Sequence, residues 1–261
     1  MNARTTTDFN RAGLVKQRTA KKNAFLAVAL SVIAATISFP CHAITFFTDR
    51  ASWEAAIQTF ADVNIAGQLA NFQTLPAGNP LLLPFDETLK FNINLQRLQV
   101  GAGWATWSGE KTPAVLFTLG AESLSGTFGP LPVIAFGLEI EPNFFNVFNV
   151  SLTTKDGGTH TLSQAVNGFA GAKFFGWIGE VTSLQVACAG GCGGFAIGEL
   201  VVGGFAGTQG TANCHGQSVS ALAQQYGVMD AADGGMDAAA EALGFPSVSA
   251  LQDAITDFCA L

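Results

Sequence analysis

Residues 133–141 read Val-Ile-Ala-Phe-Gly-Leu-Glu-Ile-Glu. Side chains alternate across a strand, so Ile134, Phe136, Leu138 and Ile140 share one face, and Ala135, Gly137, Glu139 and Glu141 share the other. The pattern predicts a half-buried strand with the two glutamates on its polar side. Working outward, the same spacing recurs at residues 89–95, 115–119, 145–154, 173–177, 181–187 and 195–202. Between two of these runs, Lys155-Asp156-Gly157-Gly158-Thr159 supplies residues that tolerate positive φ and predicts a hairpin turn. Many short strands at close intervals imply a mainly β fold, an antiparallel β-sandwich of the jelly-roll type. The phenylalanines are expected in its core, together with Trp53 and Trp177.

Two stretches depart from this period. Near the start, Thr48 or Asp49 caps a short helix that carries Trp53, Ile57 and Phe60 on one face as far as Ala61. After Gly203-Gly204 the composition turns Ala-rich, and helices are expected at residues 218–226, 237–243 and 247–258. Leu222, Leu243, Phe245, Val248, Leu251, Ile255 and Phe258 form the expected apolar seam of this small bundle. The expected division is residues 1–43, a β-sandwich over 44–204, and a helical C-terminal subdomain over 205–261.

The first segment reads as an export signal. Six basic residues precede Ala24, and the apolar run from Ala24 to Phe39 has 16 residues. A membrane-spanning helix needs about 20. Pro40 ends the run, and Cys41-His42-Ala43 offers small residues for cleavage after Ala43. Without residues 1–43 the chain keeps six basic against eighteen acidic side chains, a net charge of −12. Nucleic acid is thereby excluded as a partner, since phosphate binding needs clustered Lys and Arg. No second apolar run reaches membrane-spanning length, so no membrane association is expected after cleavage. The expected location is secreted, extracellular or periplasmic, and the pattern sets no oligomeric state.

Four cysteines follow the signal, an even number that in an exported chain points to disulfides. Cys188 and Cys192 bracket Ala-Gly-Gly, which permits a tight reversal. Cys214 and Cys259 bracket the helical segment and would close it as a loop. Neither pair has the two-residue spacing of a zinc ribbon. Thr211 stands where a covalent haem would need a cysteine. No metal and no cofactor is implied.

The sharpest candidate for catalysis is Glu139 with Glu141, because paired carboxylates are what glycoside hydrolysis requires. The competing account is a solvated pair on the polar face of a strand. No Gly-x-Ser-x-Gly occurs, and His160 and His215 are the histidines left after the signal. Asp230, Asp233 and Asp237 surround Gly234-Gly235 without the alternating acids of an EF-hand and read as a solvated surface. For binding without chemistry, Trp104 and Trp107 in Trp-Ala-Thr-Trp are the candidate ligand platform, since sugar rings pack on exposed indoles. If both are buried instead, they belong to the sandwich edge.

The segment from Ile44 to Trp53, the run Ile134-Ala-Phe-Gly-Leu-Glu-Ile-Glu-Pro-Asn143, Phe174-Phe175-Gly176-Trp177-Ile178-Gly179 and Phe195-Ala196-Ile197-Gly198-Glu199-Leu200 together resemble secreted bacterial β-sandwich proteins of the PEP-CTERM-associated type. Here Phe258-Cys259-Ala260-Leu261 stands without the Pro-Glu-Pro sorting tail. The resemblance covers about residues 44–204 and implies a surface β-sandwich without naming an activity. Glu-Ile-Glu is also similar to the active strand of laminarinase-type jelly-roll glycosidases, whose further downstream acid is replaced here by Pro142-Asn143-Phe144. The expectation is an exported non-catalytic surface or matrix protein that binds polysaccharide or another envelope component. The alternatives are a glycoside hydrolase using Glu139 and Glu141, and a purely structural matrix module.

Overall fold

The computed structural model describes residues 44–260 except 58, 156–157, 170, 208 and 227–234. The proposed signal, Asp230 and Asp233 lie outside these residues. In chain order the elements begin with β1 (Thr45–Phe47), α1 (Arg50–Ala56), β2 (Thr59–Asp62), α2 (Ile65–Gln68), β3 (Thr74–Leu75), β4 (Pro80–Leu82), β5 (Thr88–Phe91), β6 (Leu95–Val100) and β7 (Gly103–Trp104). Then follow β8 (Ala114–Phe117), β9 (Ser123–Gly129), β10 (Val133–Pro142), β11 (Val147–Lys155), β12 (His160–Asn167), β13 (Lys173–Val181), β14 (Ser183–Ala189) and β15 (Phe195–Gly204). The chain closes with α3 (Cys214–Tyr226), α4 (Met236–Ala242) and α5 (Val248–Ala260).

Two sheets face each other. The first runs β1-β13-β10-β15-β8-β6-β3, with β2 on β15 and β7 on β6; the second runs β12-β11-β14-β9-β5-β4. Every pairing between these strands is antiparallel except β6 with β7. The hairpin expected around Lys155 joins β11 to β12 in register, Thr154 opposite His160. Between the sheets lie Phe136, Leu138 and Ile140 of β10 with Phe148, Val150, Leu152, Leu184 and Val186. Hydrophobic burial of these side chains is the main favourable term in folding.

The second face of β10 is not open to water. Ala135 joins an outer cluster with Trp53, Phe174, Val201, Leu222, Leu251 and Ile255. The helices therefore cover one side of the first sheet, and β10 is buried on both faces. Two glycines make this possible. Gly137 and Gly176 are paired across β10 and β13, and the Phe174 ring lies where side chains at either would stand. A Cβ on Gly176 would also sit 2.9 Å from the Trp53 indole. The second sheet keeps the simpler pattern: Val150 and Leu152 point inward while Asn149 and Lys155 are exposed.

Helix α1 begins where Asp49 accepts a hydrogen bond from the Ser52 N–H. It ends at Ala56, short of Ala61, and Phe60 lies in β2 and is partly exposed. Strand β15 contains a bulge, since Gly137 pairs with Val201 but Glu139 with Gly198. Glu199, at φ 48°, takes the extra position in the left-handed region typical of such bulges. Its carboxylate is held by Lys111 at 3.0 Å and Arg50 at 3.7 Å.

Candidate functional site

Beyond the Gly137 pairing, β10 carries Glu139 and Glu141 onto the outer face of the first sheet. The segment between β6 and β8 folds back over them. Glycines 101, 103 and 109, all at positive φ, allow the bends this requires. Trp107 lies over Gly198, where a Cβ would come within 2.9 Å of the indole. The result is a third apolar cluster of Trp104, Trp107, Val115 and Ala196 with Leu98 and Val100.

The glutamates are thus buried rather than solvated. Glu141 is fully buried and accepts three hydrogen bonds: from the Trp104 indole at 2.5 Å, the Thr106 hydroxyl at 2.8 Å and the Gly171 N–H at 3.0 Å. Burial pushes its carboxyl up, and the three donors pull it back down without cancelling that rise. Glu139 accepts from the Ser108 hydroxyl and pairs with Lys111 at 3.5 Å. Both carboxylates pin the covering loop to the sheet. As arranged, Glu141 offers no oxygen to a polymer in solution.

The expectation of open indoles at Trp104 and Trp107 is corrected by the same geometry: each is only 6% exposed. The reason is the buried carboxylate, which draws the Trp104 N–H inward, and Gly198, which admits the Trp107 ring. Trp53 and Trp177 are buried as expected.

The exposed aromatic surface lies elsewhere. Phe145 is 79% exposed and stacks on Phe169 with ring centres 4.2 Å apart. Phe169 stacks in turn on Trp104 at 6.3 Å, and Trp104 packs on Phe117 at 5.3 Å. This graded stack leads from solvent to the Glu141 network. Beside it, Phe144 and Val147 are also exposed, and the Phe144 ring rests over Gly193. Phe169 itself is at φ 58°, a conformation a bulky side chain adopts only when its surroundings hold it.

The loop carrying Phe144 and Phe145 is tied down at its ends. The Asn143 N–H donates to Gly194, the Phe144 N–H to Cys192, and the Gly168 N–H to Asn146. Cys192 lies at disulfide distance from Cys188, with Cα atoms 6.3 Å apart. Cys214 and Cys259 are similarly paired, with Cα atoms 5.6 Å apart. Sequence reading placed Phe144 and Phe145 with the core phenylalanines. The available signal was Asn143-Phe-Phe-Asn146, because adjacent residues of an extended segment point to opposite sides and polar asparagines flank them.

His160 opens β12, and His215 is exposed in α3. Among the described residues no group of His, Cys, Asp or Glu is arranged to hold a metal ion. None of the helices there is long and apolar enough to cross a membrane.

No protein-family model and no curated protein matches the chain. Among solved structures it is similar to a family 61 carbohydrate-binding module in complex with β-1,4-galactotriose, at 15% identity and a TM-score of 0.30, over 52% of this chain and 100% of that one. It is also similar to a mutant of a family 29 carbohydrate-binding module, at 8% identity and a TM-score of 0.25, over 55% of this chain and 90% of that one.

Proposed function

We propose that the protein is an exported, non-catalytic surface or matrix protein that binds polysaccharide or another envelope component through the ledge of Phe144, Phe145 and Phe169. The observation that carries this reading is Phe145, 79% exposed and stacked at 4.2 Å on a ring that is itself braced from below. A flat apolar face held open in water is unfavourable unless a partner covers it. Sugar rings present such a face, and aromatic side chains supply its complement. The paired cysteines agree with an oxidising compartment. The network around Glu141 serves as the foundation of the ledge, since Trp104 both donates to it and supports Phe169.

The test is incubation of the purified protein with bacterial and plant polysaccharides, scoring retention on the polymer and release of reducing ends. Retention without release, lost in the Phe144→Ala/Phe145→Ala double variant, is the expected result. Sugar release abolished by Glu139→Gln or Glu141→Gln would replace the binding reading with a glycosidase. The burial of Trp104 and Trp107 favours one second reading, a structural module whose ledge meets another protein. Absence of retention on every polymer would bring that reading forward.

A further inference from the structure

A cavity of about 50 Å³ lies between the first sheet and α5. Phe85, Val202 and Phe258 give it apolar walls, and Glu87, Glu180 and Asp257 give it three carboxylates; no lysine, arginine or histidine is among the described residues lining it. Glu87 is 7% exposed, and its Oε2 has no hydrogen-bond partner among the described residues. Burying such a group is costly unless an occupant of the cavity bonds to it. A positively charged donor would complete it.

We propose that this cavity binds the ammonium end of a small primary alkylamine, with Glu87 as the ion-pair partner and Phe85, Val202 and Phe258 enclosing the alkyl chain. The size fits. At about 10–15 Å³ for each water-sized sphere, the space holds three to five of them. That admits an ammonium and a short alkyl chain and excludes a sugar ring. Charge selects the class, since a carboxylate-lined cavity disfavours an anion and a neutral alcohol leaves the charge on the Glu87 Oε2 uncompensated.

Burial raises the Glu87 carboxyl to about 7, against the Leu131 backbone N–H, which pulls it down, and with Asp86 adding like charge. Glu180 from β13 and Asp257 from α5 face the same space. An alkylammonium stays protonated to about pH 10. Binding therefore strengthens as pH rises through 7 and Glu87 ionises.

The experiment titrates the purified protein with n-butylamine, 1-butanol and butyrate at pH 6 and pH 8 in 0.15 M salt, on the order of physiological ionic strength. It is read by NMR shifts of the Val202 and Ala254 methyl groups. The expected result is saturable binding of n-butylamine at these methyls, about tenfold tighter at pH 8 than at pH 6. It should be at least about tenfold weaker for 1-butanol and in Glu87→Gln. Asp257→Asn changes an exposed side chain and is expected to weaken binding a few-fold while leaving the fold intact. Equal binding of amine and alcohol, unchanged binding in Glu87→Gln, or shifts spread over the acidic surface would overturn the proposal. If Glu87→Gln does not fold, the amine-to-alcohol ratio and the pH ratio of the unaltered protein decide it.

Discussion

Replacing Glu87 with Gln should change how stability depends on pH, independently of any ligand. In the folded chain the carboxyl titrates near 7, against 4.5 ordinarily, and desolvation is the leading cause. A raised carboxyl pKa means that the folded state holds its proton more tightly than the unfolded state. Stability is then greatest below the unfolded pKa, falls as pH rises from about 4.5 to about 7, and is level above that. At about 1.36 kcal/mol per unit, the loss on crossing this window is about 3 kcal/mol. Gln keeps the shape and removes the titration. Urea unfolding at a series of pH values from 4 to 8 should therefore give nearly equal stabilities for the two proteins at the acid end. The variant should then lead by about 3 kcal/mol at pH 8, or roughly 6–12 °C in Tm for a chain of this size. A constant offset across the whole range would refute the reasoning, because it would mean that Glu87 titrates alike in both states.

Two further outcomes follow from the packing. Cys214 and Cys259 close a loop with a sequence separation of 45, so replacing both with Ser should lower stability by about 4 kcal/mol on the chain-entropy account, measured by thermal unfolding against the oxidised protein. Glu141→Ala should orphan the Trp104, Thr106 and Gly171 donors. Its expected effect is a loss of about 3 kcal/mol or more and altered Trp fluorescence, whereas a variant as stable as the parent would show that the carboxylate does not anchor the loop.

Much of the sandwich was legible because β11, β14 and β15 contain alternating apolar residues that persist long enough to exclude a helix. The last helix was legible as well, since Val248, Leu251, Ile255 and Phe258 recur at helical spacing. The depth of the site was not. On β10 the face carrying Glu139 and Glu141 also carries Ala135 and Gly137, and small residues there mark a place where something packs closely. What packs on Gly137 is Phe174 from the neighbouring strand, while Trp107 from a distant loop covers Gly198 of β15, and periodicity along one strand does not report either. The exposed ledge was missed for the converse reason: a phenylalanine's composition favours burial, and only its two asparagine neighbours argue against it.

The order of the first sheet has a consequence for how the chain is made. β1 pairs with β13 and β2 with β15, so the earliest strands to emerge from a ribosome or an export channel find no partner until the last strands arrive. Over that interval Trp53 and Phe46 have nowhere to be buried, and long-range closure of this kind is slow and prone to aggregation. Nascent chains of this protein should depend on holding factors, and truncation before β15 should yield insoluble material rather than a smaller sandwich.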